Sequence, residues 1–196
     1  MYSTKTATTN NQEFTSSYMP VGINENITLK EVNVNKTPYG RDFLEIIFQN
    51  ADGQTATMTE WKNTIDGKII KNDDELQHRD NQQFGRILQV IDAVKGGHND
   101  FEGSSFVEMI NWVKSQFSDG ENSPVRLKVI YDNKGYTKVS SYGVFVEPMS
   151  VEESQIKLWK KDLLERPIVA DKEDDPLSAP STAPVTETTG ADDLPF

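Results

Sequence analysis

Cations stand beside aromatics at several turns and strand ends of this chain. Lys36, Tyr39 and Arg41 flank one turn, and Trp61 and Lys62 close a strand. Arg126 and Lys128 share one face of a later strand, and Lys134, Tyr136 and Lys138 flank the last hairpin, with Tyr142 in phase beyond. Cations neutralise phosphates, and aromatic planes stack on unpaired bases at about 1–3 kcal/mol per base. The pattern is therefore suited to single-stranded nucleic acid. Taken singly, an aromatic more often fills a core and a lysine is more often solvated. On that general expectation Phe43, Phe48, Tyr131 and Phe145 are assigned to the core, and Trp61 and Tyr136 are left for the surface. Trp112 and Trp159 fall on helical stripes and are read as structural.

Other chemistries find little support. His78 and His98 both fall in predicted connections without matching partners. Asp73-Asp74-Glu75 suits a solvated loop or a helix start better than a metal site. No phosphate-binding glycine loop, zinc-protease pair or nucleophile elbow occurs. The chain has no cysteine, which excludes disulfides, thiolate catalysis and thiolate zinc sites. A non-enzyme without cofactor is expected. No apolar run is long enough to span a bilayer, and the N-terminal residues lack a signal-peptide core, so no membrane contact is expected.

The elements that must position these residues follow from periodicity. Residues 21–35 predict a strand whose apolar phase slips between Leu29 and Val32, as a β-bulge requires. Residues 42–50 and 54–61 predict two more strands joined at Ala51-Asp52-Gly53. Residues 81–95 and 104–118 have helical spacing, with Gly96-Gly97 as a stop and Ser104 or Ser105 as an N-cap. Residues 125–131 and 136–147 alternate as strands, with a bend at Gly143. Residues 150–165 predict a further helix capped by Ser150. Three strands, helices, two strands and a helix match the order of an OB-fold, a five-stranded Greek-key barrel. The expected fold is thus mainly β: a five-stranded OB-like barrel over residues 21–149, with a mobile N-terminus over 1–20 and a helix over 150–166. A disordered acidic tail is expected over 167–196.

Charge is segregated. The net charge is −11, and residues 171–196 hold only Lys172 against seven acids. The body is milder, so a nucleic-acid site must be a local basic stripe. The tail is rich in Pro, Ser, Thr and acid and has no apolar period to bury.

The last residues, Asp192-Asp193-Leu194-Pro195-Phe196, resemble the tip of phage and bacterial single-stranded DNA-binding proteins. The stretch GRDFLEIIFQNADGQ resembles the second strand and hairpin of small phage proteins of that type. The resemblance implies a protein that coats single-stranded DNA without sequence preference and works in the bacterial cytoplasm. It implies that Phe196 enters an apolar pocket on replication, recombination or repair enzymes, with Leu194 and Pro195 adding contact. Asp192 and Asp193 would meet basic residues around that pocket. Further copies of the chain, as a homo-oligomer, are also among the expected partners. Two rivals stand beside this: a phage recombination mediator that anneals strands, and an adaptor whose barrel binds protein rather than DNA.

Overall fold

The computed structural model describes residues 17–167. The elements run β1 (Gly22–Lys36), β2 (Asp42–Gln49), β3 (Thr55–Trp61), α1 (Asp73–Lys95), α2 (Phe106–Gln116), β4 (Val125–Tyr131), β5 (Thr137–Val139) and β6 (Val146–Pro148). The strands form one antiparallel sheet in the order β3-β2-β1-β4-β5, with β6 also on β4. β3 and β5 approach within 8 Å between Cα atoms but do not hydrogen-bond. The sheet is therefore open at that seam.

β1 serves both halves of the sheet. Residues 28–36 pair with β2, and residues 22–27 pair with β4. A strand can do this only by bending, and two irregularities supply the bend. The β2 register shifts between Leu29 and Glu31, where the apolar phase slips in the sequence. The β4 register shifts between Asn24 and Ile27, where Asn26 has φ 55°. Asparagine tolerates that left-handed conformation better than most residues.

The core lies between the concave side of the sheet and the two helices. Leu44, Ile46 and Phe48 of β2, Ala56 and Met58 of β3, and Val125, Leu127 and Val129 of β4 all point into it. α1 contributes Ile87, Val90, Ile91 and Val94, and α2 contributes Ile110 and Val113. α1 begins about two turns earlier than the helix expected from residue 81. Asn72 caps it by accepting from the Glu75 N–H, and Asp73, Asp74 and Glu75 fill the positive first turn. Ser105 caps α2 in the same way. Residues 17–20, counted by sequence with the mobile N-terminus, are tied to β3: Met19 N donates to Thr55 O, and the Met19 side chain is fully buried.

The strand expected over residues 136–147 is broken in two. β5 pairs with Val129–Tyr131 and β6 with Val125–Leu127, so residues 140–145 leave the ladder opposite Lys128. Lys128 keeps both backbone bonds, donating to Phe145 O and accepting from Ser140 N. Gly143, at φ 61°, turns the excursion.

The helix expected over residues 150–165 is absent. This segment is an irregular strap across the outer face of β4. Its N–H groups are captured by side chains: Gln155 N by Glu147, Ile156 N by Ser154, and Trp159 N by Asp162. Tyr131 N donates to Leu163 O at the far end. Those tertiary bonds replace the i→i−4 ladder. Ile156 is buried, whereas Trp159 and Leu164 are exposed.

Glu147 holds the near end of the strap. Burial raises its pKa, but hydrogen bonds from Ser154, Arg126 and the Gln155 N–H outweigh that and leave it below the ordinary range. A depressed carboxylate stabilises the fold above its unfolded-state pKa and loses that contribution as pH falls through the folded value. The strap is therefore expected to loosen on acidification below the ordinary glutamate range. Hydrogen exchange along a descending pH series, corrected for intrinsic rates, should show residues 151–163 opening before β2. An identical acid profile in Glu147→Gln would remove Glu147 as the cause.

Candidate nucleic-acid interface

The outer face of β1, β2 and β3 carries the first cluster. Cross-strand register places Asn35, Phe43 and Trp61 in one row of this face, while Lys36 and its partner Asp42, one position on, have the opposite phase at the strand ends. Trp61 stacks on Phe43 with ring centroids 4.5 Å apart and planes at 25°. The Arg41 guanidinium lies 5.5 Å from the Trp61 ring centroid. Trp61 remains 39% exposed, and Tyr39, at the turn tip, is 94% exposed. Lys36 is exposed and lies 3.4 Å from Asp42. Phe43, expected in the core, instead backs Trp61 on the outer face. The inner face of β2 is already filled by Leu44, Ile46 and Phe48, and alternation sends Phe43 outward.

The same face is not uniformly cationic. Glu31 and Glu45 lie on it further from the turn, and Glu45 accepts from Asn35. A polyanion is favoured only at the end bearing Arg41 and Trp61. Next to Trp61, Lys62 is exposed at the mouth of a cleft of about 570 Å³ between α1 and α2. Phe84 and Phe101 line the cleft and pack edge-to-face, with Trp112 behind both.

The second cluster is the β4–β5 turn. Asp132 accepts from the N–H groups of Lys134 and Tyr136 and so shapes the turn. Lys134 and Lys138 are exposed, and Tyr136 is 59% exposed.

Arg126 and Lys128 do not belong with these. Both point to the outer face of β4, as their phase requires, but the strap covers that face. Arg126 is held by Glu147 at 2.6 Å and Glu25 at 3.0 Å. Lys128 is fully buried, and its Nζ donates to Asp162 Oδ2 at 3.0 Å, Lys157 O at 3.1 Å and Tyr142 O at 3.3 Å. All three ammonium protons are thereby used. These two residues, expected to follow phosphates, hold the strap and the excursion to β4 instead.

A buried polar network ties α1 to β3. Arg86 makes a bidentate contact to Glu60, with both bonds at 2.9 Å, and Gln83 donates to Glu60 and to Trp61 O. This fixes the backbone from which Trp61 projects. Sequence reasoning missed it because Glu60 reads as a solvated strand residue. Its one signal was phase, since Glu60 alternates with Ala56 and Met58 toward the interior.

Asp192, Asp193, Leu194, Pro195 and Phe196 lie outside the described residues, as does the rest of the acidic tail from residue 168. Among the described residues no helix is long and apolar enough to cross a membrane. No protein-family model matches the chain, and no curated protein matches it either.

Proposed function

We propose that this protein is a non-enzymatic, sequence-tolerant binder of single-stranded DNA of OB type. The observation that carries this is the Phe43–Trp61–Arg41 stack, an exposed indole backed by one ring and met by a guanidinium. A base can stack on Trp61 when the exposed Arg41 side chain swings to a phosphate. The strand order β3-β2-β1-β4-β5 supports the same reading, because it is the OB order with one seam unpaired. In that fold the face of strands 2 and 3 and the loops 1–2 and 4–5 are the usual places for oligonucleotides. Here those loops bear Tyr39 and Arg41, and Lys134 and Tyr136. The acidic tail accounts for part of the net negative charge. Its last residues would recruit replication, recombination or repair enzymes in a bacterial cytoplasm.

The test is tryptophan emission titrated with oligo(dT) at two salt concentrations. Saturable quenching is expected, with affinity falling as salt rises, because phosphate neutralisation releases counterions. Unchanged emission and unchanged electrophoretic mobility would reject DNA binding and favour a protein adaptor. Accelerated pairing of complementary strands would move the assignment to an annealing mediator.

A further inference from the structure

Outside the clusters above, a cationic concavity lies between α1 and the 140–145 excursion. Its volume is about 480 Å³, and Arg79, Gln82, Arg86, Gln89, Ser141 and Tyr142 contribute to its walls. Among the described residues no carboxylate lines it. Arg86 is already neutralised by Glu60, whereas Arg79 is exposed and has no ion pair among the described residues. Tyr142 is 48% exposed, and Lys161 Nζ sits 3.8 Å from its ring centroid. Gln89 fixes the excursion, accepting from Phe145 N and donating to Gly143 O. α1 connects the groove to the end of β3. Gln83 and Arg86, on the α1 turns after Arg79, bind Trp61 O and Glu60 at the end of β3. The cleft beside Lys62 is the weaker candidate for a polyanion, since Asp80 and Glu102 line it.

We propose that this groove is a second stretch of the single-strand path, where Arg79 and Lys161 meet phosphates and Tyr142 offers its ring to a base. It rests on the single-stranded DNA binding proposed above. A strand stacked on Trp61 continues past the β3 end, along α1, to Tyr142. The polyanion is preferred over an acidic peptide because an exposed aromatic and the hydroxyl groups of Ser141 and Tyr142 stand beside the cations.

The experiment is fluorescence anisotropy of labelled oligo(dT) on the full chain across a salt series. One short oligonucleotide is held at Trp61 alone, and a longer one reaches the groove. Tyr142→Ala is expected to weaken the long oligonucleotide about 5- to 150-fold and to leave the short one within about 2-fold. Arg79→Ala is expected to reduce the salt slope of the long one by about 0.7. Tyr142→Phe keeps the ring and should keep affinity. Arg79 is exposed, so its variant remains informative should Tyr142→Ala misfold. If Trp61→Ala weakens binding while Arg79→Ala and Tyr142→Ala do not, the groove is excluded and DNA binding stands. If the unaltered chain binds neither oligonucleotide, both fall. Tighter binding by Arg79→Ala would mean that the groove seats acidic residues of the chain itself, and would overturn the proposal.

Discussion

Lys128→Ala is expected to lower the unfolding free energy by about 3–5 kcal/mol, read from urea denaturation. Both members of the Lys128–Asp162 pair have fully buried side chains. Truncating the lysine leaves a buried carboxylate whose Oδ1 has no partner among the described residues. It also releases Tyr142 O and Lys157 O from their shared donor. A domain is typically stable by about 5–15 kcal/mol, so this one side chain holds a large share. The loss is mostly the cost of stranding the partner rather than the net worth of the pair. Lys128→Met combined with Asp162→Leu should therefore recover much of it. Under conditions where Lys128→Ala remains folded, its DNA binding should show the wild-type salt slope, because a buried ammonium meets no phosphate. A stability loss below about 1 kcal/mol would show that water reaches the pair in solution.

Trp61→Ala is expected to weaken oligo(dT) binding about 5- to 150-fold, the worth of one stacked base. Trp61→Phe should retain a large part, since a smaller ring still offers a π-face. The stack with Phe43 also contributes to folding, by about 0.5–1.5 kcal/mol. Urea denaturation of each variant separates that loss from the binding loss. Arg41→Ala should reduce both affinity and salt slope, in contrast to Trp61→Ala, which should reduce affinity at nearly constant slope. Affinity unchanged in Trp61→Ala would remove the stack from the interface and transfer attention to the β4–β5 turn.

The two substitutions probe residues that look alike in sequence and differ in the fold. Trp61 and Lys128 each sit at an outward strand phase among hydroxyl or basic neighbours. β3 has its outer face open, so Trp61 remains accessible. β4 has its outer face covered by residues 150–167, so Lys128 is sealed. Phase determines which side of a sheet a residue occupies, but not what lies over that side. Covering is a long-range event, and here it depends on a segment whose own periodicity pointed to a helix. That helix fails because Glu147 and Asp162 offer its N–H groups better-placed acceptors than the carbonyls one turn back.

What the sequence determined by itself is local and periodic. The β1 bulge followed from a one-residue slip between Leu29 and Val32. The two helices followed from 3–4 spacing with Ser105 as cap and Gly96 as stop. The sheet faces followed from alternation, because side-chain direction has period two wherever a strand exists. Only the tertiary structure decided that the β3–β5 seam is unpaired, that residues 140–145 leave the ladder, and that the strap buries Lys128. Only it set Phe43 behind Trp61 and lined a groove with Arg79 and Tyr142. Those features join residues far apart in the chain through side-chain bonds and desolvation, and neither leaves a period to read.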